Sequence, residues 1–107
     1  MYDVAIILHE QAGLDRDAAV AHWRTTHADI ARRLPGLRAY SQGPSYLGEG
    51  AAPNLGVAVL SFDSKEAFEL ATATPEFGAA AADLAKFADP ARMAMFELEP
   101  VKGVGSA

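Results

Sequence analysis

The chain has no cysteine and only three histidines, so most of its possible chemistry is confined to a few positions. Without cysteine there can be no disulfide, no thiolate metal ligand and no thiol nucleophile. Basic residues are scarce as well: nine Lys and Arg face fourteen Asp and Glu, for a net charge of −5. Arg32 and Arg33 are the only adjacent basic pair, so no basic stripe is available and nucleic acid is not expected as a partner. Long apolar runs are missing too. Val4 to Leu8 is five residues, too short for a signal core or a membrane span, so a cytoplasmic protein with no membrane partner is expected. There is no glycine-rich phosphate loop and no dinucleotide fingerprint, which argues against flavin and nicotinamide cofactors.

What remains is an ordinary globular composition, half apolar and one-fifth charged over 107 residues. That length suits one domain, expected over residues 1–99, with 100–107 as a flexible tail. A chain of this size buries only about two-thirds of its unfolded surface, so its core is thin.

Val4–Leu8 reads as a buried strand. Asp15 can cap a helix that runs to about Leu34, where Pro35-Gly36 stops it. Val20, Trp23, His27, Ile30 and Leu34 recur along it at steps of three and four and share one face. Arg32 and Arg33 complement the negative end of its dipole. Leu37 to about Tyr46 reads as a second strand and Gly43–Asn54 as a surface loop. Leu55–Phe62 is a third strand. Asp63 with Glu66 fits a capping box for a second helical stretch, which Thr74-Pro75 restarts with Phe77, Ala81, Leu84 and Phe87 as its apolar stripe. Ala91–Leu98 alternates as a fourth strand.

The order β-α-β, loop, β-α-β implies an α+β, ferredoxin-like sandwich: a four-stranded antiparallel sheet with the helices on one face. Such a sheet should alternate apolar and polar residues. The two central strands do not: Val4, Ile6 and Leu8 oppose Ala5 and Ile7, and Ala58, Leu60 and Phe62 oppose Val57 and Val59. Helices cover one face only, so the other would expose a large apolar patch. Sheet-to-sheet packing of two copies is the expected remedy.

The stretch HWRTTHADIARRLPGLRAY holds the candidate site. On an α-helix His22 and His27 would lie about 140° apart, whereas helical metal pairs need a spacing of three or four. No metal site is expected, and His22 reads as a half-exposed surface residue. His27 sits within the apolar face. It is either a hydrogen-bonded core histidine or a neutral imidazole acting as general acid/base. Tyr40, on the strand that folds back beside the helix, could carry its hydroxyl toward His27 as an oxyanion donor; otherwise it is an aromatic core residue. Arg38 and Gln42 share its face. Arg38 could bind a carboxylate or phenolate, or simply be solvated. Trp23 and Phe62 are candidate pocket wall.

The segments Ala21-His22-Trp23-Arg24, His27-Ala28 and Arg33-Leu34-Pro35-Gly36-Leu37 leading into Tyr40 carry a resemblance to a known family. With Leu60-Ser61-Phe62-Asp63-Ser64 and Ala67-Phe68, the chain resembles the EthD-like branch of the dimeric α+β barrel superfamily, over residues 2 to about 98. The resemblance implies a homodimer whose sheets face each other, with a small-molecule pocket between each sheet and its own helices. It also implies chemistry mostly without cofactor, and some relatives use a helix histidine at the position of His27. No histidine follows residue 27, so the axial ligand of haem-handling members has no counterpart. A cofactor-free enzyme is therefore expected. It would move a proton next to a carbonyl, in isomerisation, dehydration or cyclisation of a lactone, quinone or phenolic compound. His27 and Tyr40 would be catalytic, and Trp23, Arg38, Gln42 and Phe62 would contact a small hydrophobic or aromatic substrate. The alternative is a non-catalytic binding or accessory subunit of an oxidative, ether-degrading system.

Overall fold

The computed structural model describes residues 1–45 and 54–103. Strand β1 spans Tyr2–Leu8, and its alternate residues Val4 and Leu8 are almost wholly buried. It lies between β3 (Gly56–Phe62) and β4 (Ala94–Leu98), while β2 (Ala39–Pro44) pairs with the outer side of β3. The order is β2-β3-β1-β4, and every pairing is antiparallel. The helices pack on one face, as the element order implied.

Helix α1 covers residues 16–31 in three pieces: an α-helical stretch Arg16–His22, a π-helical turn Trp23–His27 and a last α-helical turn Ala28–Ala31. Asp15 caps it as expected, its carboxylate accepting from the Ala18 N–H at 3.1 Å. Regular helix ends three residues before Leu34. Arg33 and Leu34 bond to the carbonyls of Ile30 and Ala31, the three-residue closure that tightens a helix end. Gly36 then takes a φ of +79°, a left-handed conformation that suits glycine after a helix.

Helix α2 is Lys65–Thr72 and α3 is Pro75–Leu84. The cap of α2 is Ser64, one residue later than the expected Asp63: the Ser64 hydroxyl accepts from Ala67 N–H. Asp63 points instead to Arg38. The restart at Thr74-Pro75 is as read, with the threonine hydroxyl accepting from Phe77 N–H and proline in the first turn. Strand β4 is shorter than expected because Asp89-Pro90 opens a 3-10 turn over Pro90–Arg92 first. In β2, Gly43 and Pro44 belong to the strand rather than to the loop. Residues 46–53 of the expected loop, with Tyr46, lie outside the described residues, as do 104–107 of the expected tail.

The core lies between sheet and helices, with Trp23, Leu55, Phe62 and Phe87 essentially inaccessible. On the uncovered face the register aligns Ala5 with Val59 and Phe96, and Ile7 with Val57 and Ala94. Phe96 is 53% exposed and Leu98 43%. Among the described residues no helix is long and apolar enough to cross a membrane.

Candidate functional site

The π turn determines the site. A π turn closes on a residue five positions away rather than four, and here the Ala28 N–H reaches the Trp23 carbonyl. Residues five apart therefore come round to nearly the same side, and His22 and His27 are five apart. The sequence loosens the helix locally. Thr25 and Thr26 are β-branched and poor in helix interiors, and the Thr25 hydroxyl donates back to the Ala21 carbonyl at 2.7 Å. The Gln42 amide, reaching across from β2, donates to the Trp23 carbonyl at 2.7 Å. It thereby provides a partner for a backbone oxygen that the widened turn leaves accessible.

Both histidines meet one carboxylate. His27 Nδ1 lies 2.9 Å from Asp83 Oδ2, and His22 Nε2 lies 3.0 and 3.1 Å from the two Asp83 oxygens. A carboxylate can only accept, so each of these nitrogens carries its proton and donates. The ring of Phe87 packs against both imidazoles, with centroids 5.2 Å from His22 and 5.1 Å from His27. Side-chain exposure falls from 29% at His22 to 7% at His27 and 4% at Asp83. His22 is partly exposed, as expected, but the expectation that it diverges from His27 is corrected: the straight-helix separation does not apply across a π turn. Even so, among the described residues no group of three or more His, Asp or Glu side chains is arranged to hold a metal ion.

With Nδ1–H committed to Asp83, His27 keeps a lone pair on Nε2. That nitrogen has no hydrogen-bond partner among the described residues, and His27 lines a cavity of about 160 Å³ between sheet and helices. Burial pushes the imidazole below its ordinary value of 6.5, while the hydrogen bond and charge of Asp83 pull the other way and His22 adds to the lowering. Asp83 feels burial, which raises its carboxyl, but the donors and charges of His22 and His27 outweigh it and hold the group below 3.8. The pair is a neutral base backed by an ionised carboxylate.

Tyr40 lines the same cavity. The Gln42 amide spends one N–H on the Trp23 carbonyl and the other on the Tyr40 oxygen at 2.9 Å, which leaves the Tyr40 O–H free to donate to a ligand. Burial pushes the phenol above 10.0, with Gln42 and the Trp23 indole N–H acting against that shift. It is a neutral donor. Trp23 also lines the cavity, and its buried indole N–H is near enough to the Tyr40 oxygen to influence it but makes no hydrogen bond of good geometry among the described residues.

The remaining wall is apolar: Ile6, Leu8, Ala58 and Leu60 from the sheet, Phe77, Ala80, Ala81 and Leu84 from α3. Pro90, Met93 and Met95 line the side where Met93 and Met95 are partly exposed, which marks the mouth. No Lys, Arg, Asp or Glu is among the described lining residues.

Three expected substrate contacts lie elsewhere. Arg38 is exposed and makes a two-pronged pair with Asp63 at 2.9 and 3.1 Å, because its place just before β2 puts it at the sheet's end. Phe62 is fully buried behind the cavity and packs on Phe68 at 5.4 Å. Gln42 acts through Tyr40 and Trp23 rather than lining the space. Asp83 was not anticipated, although a signal exists: an acid directly after four alanines, three residues after buried Ala80 and four before Phe87, lies on the buried face.

The fold and a pocket walled by one sheet face and its helices define the class, a ferredoxin-like α+β protein. The profile of the EthD domain matches residues 11–91, and the chain belongs to that family. It is similar to the crystal structure of an ethyl tert-butyl ether d (EthD) family protein from Bacillus halodurans. Identity there is 29%, the TM-score is 0.74, and the match covers 94% of this chain and 100% of that one. A hypothetical Arabidopsis thaliana protein shares the fold at 14% identity and a TM-score of 0.73, covering 96% of this chain and 90% of its own. A dimeric ferredoxin-like protein of unknown function from Thermobifida fusca does so at 20% identity and a TM-score of 0.67, covering 91% and 88%. No curated protein matches by sequence.

Proposed function

We propose that the cavity binds a small, uncharged ring compound and that His27 removes a proton beside its carbonyl, with Tyr40 donating to the oxygen that gains charge. The observation that carries this reading is the free Nε2 of His27, held by Asp83 and lining the same apolar cavity as the free Tyr40 O–H. The proton moves from carbon to Nε2, Asp83 stabilises the imidazolium, and the enolate oxygen is met by Tyr40. Returning the proton at another carbon gives isomerisation; loss or attack of a neighbouring group gives dehydration or cyclisation. The step calls for no cofactor, and a lactone, quinone or phenolic compound would suit it.

Size and charge narrow the ligand. A cavity near 160 Å³ compares with engineered apolar cavities of about 150 Å³ that admit a benzene ring. With no cationic side chain among the described lining residues, a carboxylate would enter unpaired at a large desolvation cost. The working unit is proposed to be a homodimer joined through the bare sheet face, which would remove Ile7, Val57, Val59 and Phe96 from water. The relative from Thermobifida fusca is described as dimeric.

The test uses single-ring probes. Phenol and cyclohexanone should shift the amide spectrum of cavity residues, and benzoate should not. In D2O, wild type should speed deuterium incorporation beside the cyclohexanone carbonyl. His27→Ala should lower that rate by about 100-fold or more, as expected for loss of a general base. Tyr40→Phe should lower it by about 100-fold while the probe still binds. Exchange undiminished in folded His27→Ala overturns the assignment. Binding without exchange in wild type would favour the accessory-subunit reading.

A further inference from the structure

One buried carboxylate serves two imidazoles, and the two differ in what they face. His27 looks into the cavity with Nε2; His22, on the far side of Asp83, is 29% exposed. With Nε2–H given to Asp83, the Nδ1 of His22 is the atom left to exchange protons with water. The charge of Asp83 supports whichever ring becomes cationic. Once His22 takes up a proton, that charge is largely compensated, and a second imidazolium at His27 would face a like charge across the same carboxylate. The π turn is what brings this about, since it carries two histidines five residues apart to one partner.

We propose that His22 is a positioning residue for the cavity base: it clamps Asp83 in place, and its own protonation weakens the hold of His27 on a proton. The outer ring senses bulk pH, and the inner ring answers inside the cavity. The groups facing His27 are few. Asp83 comes from α3, His22 from its own helix, the uncharged Tyr40 phenol from β2 lines the same cavity, and the sheet and β4 side present only apolar residues there. The inference rests on His27 being the cavity base, yet it can be tested without turnover.

The experiment follows the imidazole signals of the full chain by NMR through a pH titration, with no ligand added. In wild type, His22 and His27 should titrate as a coupled pair, so the His27 curve has two steps. His22→Gln retains an amide that can donate to Asp83 but cannot ionise. In that variant the His27 curve should become a single step, with its midpoint raised by about one unit. That is the size expected for two charges a few ångströms apart, one of them partly in water. His22→Phe should also leave a single step; if it fails to fold, His22→Gln decides. Identical His27 curves in wild type and His22→Gln would overturn the proposal and leave His22 a structural prop. Loss of exchange chemistry with coupled titration intact would instead overturn the proposed reaction and spare this inference.

Discussion

The two faces of the sheet are built from similar residues and meet different fates. On the helix side, Ile6, Ala58 and Leu60 wall a cavity that Trp23, Phe77 and Leu84 roof over. On the other, Ala5, Ile7, Val57 and Val59 lie one residue out of step in the same strands. They have no helix above them, and Phe96 remains 53% exposed. One face has closed round polar groups set at chosen points; the other is apolar without a cover. Burial therefore follows from what the chain can place over a face, and composition alone does not separate a pocket wall from a bare sheet face.

The strongest way to break this contrast is at the polar anchor of the closed face. Asp83→Ala leaves two imidazole N–H groups without their acceptor, one of them buried, and should cost about 2–4 kcal/mol of stability in urea unfolding. It should also free the His27 ring to turn. On the bare face, Val59→Lys should convert the proposed homodimer to monomer by light scattering at micromolar concentration. Phenol should still shift the spectrum of cavity residues, because Val59 faces away from that space. A mass that is already monomeric in wild type would refute the proposed interface.

A pH experiment sharpens the difference further. His27 has its folded-state proton affinity lowered below 6.5, so the unfolded chain binds more protons just below that pH. Stability must then fall as pH drops through the region beneath 6.5, by at most about 1.4 kcal/mol per unit for one proton. Asp83, held below 3.8 when folded, adds a second loss at lower pH. His27→Phe should flatten the first slope, as followed by thermal unfolding across pH. The smallest effect is expected at the sheet's end. Arg38 and Asp63 bond at distances like those at Asp83, yet are 58% and 60% exposed. Arg38→Ala should leave both the melting temperature and probe binding unchanged within error, since water replaces the lost partner.

Much of this was legible beforehand, for definite reasons. Short β-branched runs, an Asp cap, a Leu-Pro-Gly exit and a Thr-Pro restart are local signals, and the elements they mark are those observed. His27 and Tyr40 could be singled out because polar side chains within an apolar period stand out. Phe62 and Arg38 could not be assigned correctly from the same pattern, since sharing a face does not tell how far along it a cavity extends. The convergence of His22 with His27 was missed because the rule of 3.6 residues per turn fails where the helix widens. Asp83 went unseen because one acid among alanines gains meaning only from what packs opposite.

The local sequence by itself determined the element order, the two-sided apolar strands and the presence of a polar pair near the helix-sheet seam, because these depend on period, propensity and capping within a few residues. Only the tertiary structure decided that the helix opens into a π turn, and that Gln42 from a distant strand caps it. It likewise decided that an aspartate 56 residues from His27 receives both histidines. Those outcomes depend on partners brought together by folding, since the energy of a buried hydrogen bond belongs to the pair and not to either segment.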